Sequence, residues 1–296
     1  MPEPAYLFDN TTPQAKVQLP LLAELLDGHT TSVLSALAEP GQTWLDLGAG
    51  ACTVSKWLVE QVGPTGSVTA IDRQPLPPTP IRNNLTIHRG ELKEVHIAPG
   101  SVHGVHARLV LMHAPDRLDL LHMFVDALAP GGWFVVSDWT IWDRMIVDSP
   151  SDDATELLHR FQTHLLQLGA DIGMDINWAA DANQAMREAG LVDVQTTSFA
   201  RTWTGGTGIC RLHDSNSRQK ENELIGAGFG RQDLEALREV LADPRLTLSD
   251  YLLHTTVGRK PLSGDDRPQP AGTARAERDQ SQPAIRGRTQ MPVNRG

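Results

Sequence analysis

Cysteine is nearly absent from this 296-residue chain, which contains only Cys52 and Cys210. Two cysteines so far apart in sequence form no disulfide framework, and the chain has no paired cysteines of the kind that bind zinc. We therefore expect a protein of a reducing compartment, the cytoplasm, that folds without disulfides. The hydrophobic share of 40% is sufficient for a large core.

Long apolar runs and clusters of basic residues are also missing. No uninterrupted apolar stretch approaches the roughly 18 residues of a membrane span, and the N-terminus lacks the basic and then apolar segments of a signal peptide. The net charge is −10. Because phosphate binding requires clustered Lys and Arg, this charge argues against DNA or RNA as a main partner.

The eleven histidines do not have the spacing of a metal site. His103 and His106 are three residues apart on a predicted strand, so their side chains point to opposite faces. His159 and His164 are five residues apart on a predicted helix, roughly 140° around its axis. Neither pair presents two ligands to one ion, so we expect no bound metal.

The most informative segment is residues 43–50, Thr-Trp-Leu-Asp-Leu-Gly-Ala-Gly. The pattern predicts a buried strand, a glycine loop, a helix, and a second strand over 67–72 that ends on Asp72. The glycines let the backbone approach a ligand closely. An acid about 20 residues after such a loop is placed to bind ribose hydroxyls. The segment therefore predicts a βαβ unit that binds a ribose-containing cofactor.

The residues that follow the two glycines indicate which cofactor. A dinucleotide-binding loop has a third glycine where this chain has Thr53. Asp46, just before the loop, suits a positively charged ligand and would repel a phosphate. Both features favour S-adenosylmethionine over a nicotinamide dinucleotide. A nicotinamide-dependent oxidoreductase and a non-catalytic S-adenosylmethionine-binding protein remain as alternatives.

Three further segments extend this pattern in the order typical of one family. They are Arg-Gly-Glu-Leu at residues 89–92, the segment 106–117 with its Ala-Pro-Asp-Arg end, and Leu-Ala-Pro-Gly-Gly-Trp at 128–133 before a predicted strand over 134–138. Together with the glycine loop they resemble the class I S-adenosylmethionine-dependent methyltransferases, in particular the bacterial small-molecule enzymes.

The resemblance implies a doubly wound, seven-stranded, mostly parallel α/β sheet of the Rossmann-like methyltransferase type, with helical cap additions. It also implies transfer of a methyl group from S-adenosylmethionine to an oxygen, nitrogen or carbon atom of a small-molecule acceptor in bacterial secondary metabolism. A homodimer is compatible with it.

The chain divides into three predicted parts. Residues 1–40 contain two apolar stretches, 19–26 and 33–37, which we interpret as helices of an N-terminal cap. Residues 41–261 form the methyltransferase domain, with a cap insertion near 139–178 and further helices near 215–245. Residues 262–296 contain few aliphatic side chains, and we expect this tail to be disordered.

The resemblance assigns the cofactor site to ten residues. They are Asp46, Gly48, Ala49, Gly50, Asp72, Arg73, Gly90, Glu91, Leu92 and Arg108. Within this set, Asp46 is expected near the ammonium of the cofactor, Asp72 at the ribose, Glu91 and Leu92 at the adenine, and Arg108 at the methionine end. Glu91 as a solvated loop acid and Arg108 as a salt-bridge arginine are the alternatives.

The acceptor side is assigned to two candidate catalytic residues, His113 and Asp138. His113 follows the fourth predicted strand, where it is placed to act as a base or to orient the acceptor; a purely structural role in the turn before Pro115 is the alternative. Asp138 ends the fifth strand. Trp139 and Trp142 follow it as candidate walls of the acceptor pocket, with packing under the cap as their alternative. The resemblance also places Tyr6 and Phe8 over the cofactor.

Overall fold

The structure is a computed structural model that describes residues 15–76, 81–142 and 145–264. Its helices are α1 (Ala15–Leu34), α2 (Thr53–Val62), α3 (Arg117–Ala127), α4 (Asp152–Asp171), α5 (Trp178–Glu188), α6 (Gly208–Gln219), α7 (Glu221–Gly226) and α8 (Arg231–Ala242). Its strands are β1 (Thr43–Leu47), β2 (Ser67–Asp72), β3 (Leu85–Arg89), β4 (Val102–Arg108), β5 (Leu128–Thr140), β6 (Ile146–Asp148), β7 (Val192–Phe199), β8 (Thr202–Thr204), β9 (Thr247–Ser249) and β10 (Leu252–Arg259). Two 3₁₀ turns span Leu92–Glu94 and Leu111–His113.

Within the described residues, seven strands form one sheet in the order β3-β2-β1-β4-β5-β10-β7. Strands β1 to β5 are parallel, and β10 lies antiparallel between β5 and β7. The direction of winding reverses between β1 and β4, and ligands of open α/β sheets bind at the carboxyl ends of strands at such a point. The predicted fold class is confirmed.

Apolar side chains cover both faces of this sheet. On one face, Phe124 and Trp178 pack against strand residues such as Phe134. On the other face, Leu58 of α2 packs with Trp44. Parallel strands between two layers of helices are buried on both sides. A ligand can therefore reach this sheet only at the carboxyl ends of its strands.

A third apolar cluster, the cap core, joins α1, α4, α6 and α8 to a small sheet with the strand order β6-β9-β8. Helices α4 and α8 lie within the segments 139–178 and 215–245 that the sequence analysis describes as additions. Sequence reasoning missed the beginning of α6, residues 208–214, and the three short strands, because strands of three residues are too short to show a period of two.

Helix α1 corrects the prediction of two separate N-terminal helices. One helix runs from Ala15 to Leu34, with Pro20 inside it. Leu25 and Leu34, one from each predicted segment, are both buried. Their burial stabilises the intervening polar turn as helix. The Gln18 amide donates to Asn216 of α6 at 2.9 Å, so the N-terminal segment packs directly on the cap.

Some predictions concern residues outside the described ranges. They are Tyr6 and Phe8, and all of the predicted tail beyond Gly264. Among the helices that the structure describes, none combines the length and the apolar character needed to cross a membrane.

Candidate functional site

The loop between β1 and α2 has a backbone that only glycine adopts easily. Gly48 and Gly50 have φ values of 62° and 51°, in the left-handed region where a side chain is strained. A Cβ on Gly48 would also overlap Cγ2 of Val110, which lies just beyond β4. The amide of Cys52 donates to the Ala49 carbonyl at 2.7 Å and closes the turn. Helix α2 then begins at Thr53, as predicted.

Asp72 joins this loop to the end of β2. Its carboxylate accepts hydrogen bonds from the Gly50 amide at 2.9 Å and from the Gln74 amide at 2.7 Å. The parallel pairing of β1 with β2 places the two strand ends side by side. Each carboxylate oxygen has a further lone pair available. A fixed carboxylate beside a glycine loop therefore fits the ribose end of S-adenosylmethionine.

The next strand end extends the same edge of the site. The Gly90 amide, directly after β3, donates to the Asp72 carbonyl at 3.1 Å. Glu91 is partly exposed and forms an ion pair with Arg73 at 3.5 Å. Leu92 begins a 3₁₀ turn and packs against the apolar cluster that contains Phe124 and Phe134. The structure thus brings Arg73, Gly90, Glu91 and Leu92 together beside Asp72.

Asp46 is not at the open edge. It is only 2% exposed, and its carboxylate accepts a hydrogen bond from Ser55 of α2 and is bonded to His106 Nδ1 at 2.8 Å. Asp46 and His106 are direct neighbours on the paired strands β1 and β4. These contacts hold the Asp46 carboxylate between the sheet and α2. They do not support its predicted role at the ammonium group of the cofactor.

Arg108, at the end of β4, faces the N-terminal helix. Its guanidinium contacts Asp27 at 2.9 Å and donates to the Thr30 hydroxyl at 2.9 Å. Leu19 of the same helix lies near the glycine loop, 3.4 Å from where a Gly50 Cβ would be. The salt-bridge alternative for Arg108 is therefore the one that its contacts favour, and the pair fixes α1 against the carboxyl edge of the sheet.

His113 ends the 3₁₀ turn that follows β4. Its amide donates to the Val110 carbonyl at 3.0 Å. Burial, with a smaller contribution from the positive charge of Arg117, lowers the pKa of its imidazole to about 4. The ring is therefore neutral near pH 7.

Asp138 points into the protein from β5 and is 1% exposed. Burial raises its pKa to about 7, although the hydrogen bond from the Val110 amide acts in the opposite direction. The Val110 amide lies 3.0 Å from the carboxylate. Because Val110 packs on Gly48, Asp138 positions the loop after β4 against the glycine loop.

The cap core contains an aromatic group of which sequence reasoning named only Trp139. Trp139 packs against Tyr251 at 5.2 Å between ring centroids, and the Tyr251 ring meets the edge of His213 at 5.6 Å. His213 is fully buried. The only signal in the sequence is the helical spacing of Ile209, Leu212 and His213, which predicts a shared buried face. Trp142 is partly exposed and its indole donates to the carbonyl of Asp250, the residue before Tyr251.

The buried His213 predicts a pH-dependent loss of stability. Burial lowers the pKa of His213 from 6.5 to about 4, so the unfolded chain binds this proton more readily between pH 6.5 and 4. Stability from this group is complete above pH 6.5 and is lost as the pH falls. His213→Phe is expected to remove that loss, which amounts to roughly 3 kcal/mol by pH 4.

Urea unfolding of the wild type and His213→Phe at pH 7 and pH 4.5 checks this prediction. Other titrating groups, including Asp138 with its shift of opposite sign, are common to both proteins and cancel in the comparison. The prediction is contradicted if the difference in free energy of unfolding between the two proteins is the same at both pH values.

The described residues contain neither a reactive thiolate nor a group of side chains arranged to bind a metal. Burial raises the pKa of both Cys52 and Cys210 to about 12, so neither is a thiolate near neutral pH. Within residues 15–76, 81–142 and 145–264, no three His, Cys, Asp or Glu side chains are grouped as a metal site requires.

Comparison with known proteins agrees with this geometry. The methyltransferase domain family matches residues 21–196, more than half of the chain. Methyltransferase str3 of Strobilurus tenacellus is 33% identical over 120 residues, which cover 40% of this chain and 41% of that protein. The chain therefore matches about two fifths of that relative's length.

Two further matches extend over more of the chain. An uncharacterized 37.1 kDa protein of transposon TN4556 from Streptomyces fradiae is 27% identical over 207 residues, 63% of this chain and 60% of that protein. A putative methyltransferase from Bacillus halodurans has the same fold, with a TM-score of 0.50 and 16% identity over 78% of this chain and 98% of that one. Because the family match contains both the glycine loop and Asp72, the chain belongs to the class I S-adenosylmethionine-dependent methyltransferases.

Proposed function

We propose that this protein transfers a methyl group from S-adenosylmethionine to a small-molecule acceptor. The observation that carries the proposal is the Asp72 carboxylate bonded to the Gly50 amide at 2.9 Å. This contact fixes a ribose-binding acid beside the glycine loop, at the point where the winding of the sheet reverses. Because the chain belongs to the methyltransferase family, this function is preferred to that of a nicotinamide-dependent oxidoreductase.

The proposed cofactor contacts follow the strand ends. The backbone of Gly48, Ala49 and Gly50 lies at the methionine end, near the positive N-terminus of α2. Asp72 takes the ribose hydroxyls. Gly90, Glu91 and Leu92 border the adenine, with Arg73 holding Glu91 in place. Arg108 acts indirectly, by its ion pair with α1.

The sulfonium of S-adenosylmethionine supplies an activated methyl group. The work left to the protein is to hold the acceptor about 3 Å from that methyl, in line with the sulfur, and to exclude water. A base is required only for a hydroxyl or a protonated amine. The neutral His113 is the proposed base or orienting group. Asp138 has a positioning role through Val110.

The acceptor is proposed to be a small molecule for two reasons. A chain with a net charge of −10 is poorly suited to nucleic acid. The helices and short strands that share the cap core are proposed to cover the carboxyl edge of the sheet; their core is apolar, and such additions are suited to enclosing a small ligand.

Two measurements test this function in sequence. Calorimetry with S-adenosylhomocysteine and NADPH comes first, and we expect binding of the former only. Mass spectrometry of metabolite mixtures incubated with the protein and labelled methyl donor comes second, and we expect one labelled small molecule. Binding of NADPH alone would refute the cofactor assignment, and labelling of macromolecules alone would refute the acceptor class.

His113→Ala is expected to lower turnover at least about a hundredfold, since loss of a positioned base typically has an effect of this size. The dissociation constant of S-adenosylhomocysteine should change less than about threefold, because the ring is assigned to the acceptor. His122→Ala, on the exposed side of α3, is the control. If His113→Ala weakens cofactor binding as much as turnover, its role is structural.

A further inference from the structure

Asp138 has a buried carboxyl group of which only one oxygen is satisfied. The side chain is 1% exposed, and its Oδ1 accepts a hydrogen bond from the Val110 amide at 3.0 Å. The other oxygen, Oδ2, is enclosed and has no hydrogen-bond partner within the described ranges. An unpaired polar atom in a protein interior is unfavourable and requires a specific explanation.

The charged and titratable groups around Asp138 do not supply a counter-charge. Arg117 at the start of α3 has only a small effect on the ionisation of Asp138, and its guanidinium is already paired with Asp175 at 3.1 Å. His113 is neutral near pH 7 because of its burial. His254 lies opposite Asp138 on β10, but it is not among the groups that shift the pKa of this carboxyl. An ionised Asp138 would therefore attract a cation from elsewhere.

Two contacts connect Asp138 to the glycine loop. Its Oδ1 holds the amide of Val110, and Cγ2 of Val110 occupies the place that a Cβ on Gly48 would need. Strands β4 and β5 pair in parallel, so they end side by side at the carboxyl edge of the sheet. The Gly48 backbone is the proposed site for the methionine end of the cofactor, which carries the positive sulfonium. The buried carboxyl thus lies close to the place where a cation is expected.

Other acids at this edge already have partners or roles of their own. Asp46 is bonded to His106 at 2.8 Å on the opposite face of the sheet. Glu91 is paired with Arg73. The acid at the end of β2 holds two backbone amides and is assigned to the ribose. The acid on β5 differs from these three because one of its oxygens is unpaired and its burial makes a nearby positive charge favourable.

We propose that Asp138 is the counter-charge to the sulfonium of S-adenosylmethionine, and that it makes the protein prefer this cofactor to S-adenosylhomocysteine. This inference rests on the proposed function. The attraction acts across Val110 without direct contact, and the low dielectric of the buried site strengthens it. Methyl transfer converts the sulfonium into a neutral thioether, so the attraction ends with the reaction and the product is held less tightly than the cofactor.

The proposal predicts how this preference changes with pH. Burial raises the pKa of Asp138 to about 7, so in the free protein the carboxyl is mostly neutral at pH 6 and ionised at pH 8.5. A bound sulfonium favours the ionised form, and the attraction therefore grows as the pH rises. If the ionised carboxylate strengthens S-adenosylmethionine binding about tenfold, the preference over S-adenosylhomocysteine should rise about fivefold between pH 6 and pH 8.5.

Calorimetry on the full chain with each of the two ligands, at pH 6 and pH 8.5, measures this rise. Asp138→Asn keeps an oxygen for the Val110 amide but cannot ionise, so it should bind S-adenosylhomocysteine within about twofold of the wild type and lose the rise. Asp119→Asn, which removes an exposed acid of α3, is the matched control and should retain it. Titration of the amine of each ligand is common to all three proteins and cancels in the comparison.

Proton release provides a second readout, which needs only the wild type and serves if Asp138→Asn does not fold. At pH 6.5, calorimetry in two buffers of different ionisation enthalpy should show about half a proton more released on binding S-adenosylmethionine than on binding S-adenosylhomocysteine. Equal proton release with the two ligands would overturn the proposal. So would an Asp138→Asn variant that weakens both ligands equally and keeps the rise with pH. A wild type that binds neither ligand would instead refute the proposed function.

Discussion

Gly48→Ala is expected to destabilise the protein by about 2–4 kcal/mol and to abolish cofactor binding. The residue has a φ of 62°, and an L-residue in this region is strained by about 1–2 kcal/mol. The new methyl group would also overlap Val110. Val110 is not free to move away, because its amide is bonded to the buried Asp138 at 3.0 Å. The glycine loop, where the cofactor is expected to bind, would therefore have to change its conformation.

Gly28→Ala is the matched control for this substitution. Gly28 lies in the exposed part of α1, and a Cβ there would meet no atom within 4 Å. Alanine is favoured over glycine inside a helix, so we expect this variant to gain about 0.5–1 kcal/mol. Urea unfolding and calorimetry with S-adenosylhomocysteine measure both effects. Equal stabilities for the two variants would contradict the packing of Val110 on Gly48.

The cofactor half of the site was predictable because its geometry is local. A strand, a glycine turn and a helix fix the loop, and the parallel pairing of β1 with β2 then places Asp72 beside Gly50. Spacing along the chain is sufficient for such an arrangement. The same reasoning correctly placed the start of helix α2, and the resemblance to the family correctly implied a seven-stranded, mostly parallel sheet.

The side-chain partners in the site were not predictable, because they come from distant parts of the sequence. Asp46 is paired with His106, 60 residues later, and Arg108 reaches back 78 residues to Thr30. The motif gives the residue type at each position but not the neighbour that tertiary packing supplies. Asp46 therefore fits the family pattern while its carboxylate faces α2.

The cap was predicted only in outline for a related reason. Its long amphipathic helices have a clear period, but β6, β8 and β9 have three residues each and are stabilised by pairing with each other rather than by local preference. His213 was missed because a single polar residue on an apolar helix face has no distinguishing pattern. Its significance comes from the absence of a partner among the described residues, which only the packed structure reveals.

Asp72→Ala is expected to weaken S-adenosylhomocysteine binding about 10- to 100-fold, the equivalent of roughly 1–3 kcal/mol. The change removes the proposed acceptor for the ribose hydroxyls and also frees the Gly50 and Gln74 amides that the carboxylate holds. Asp72→Asn retains one acceptor oxygen and should lie between the wild type and the alanine variant. Glu60→Ala, which removes an exposed acid paired with Arg82, controls for the loss of negative charge. Calorimetry that gives Asp72→Ala the affinity of the wild type would show that the ribose is bound elsewhere, because a carboxylate in contact with the hydroxyls cannot be deleted without loss.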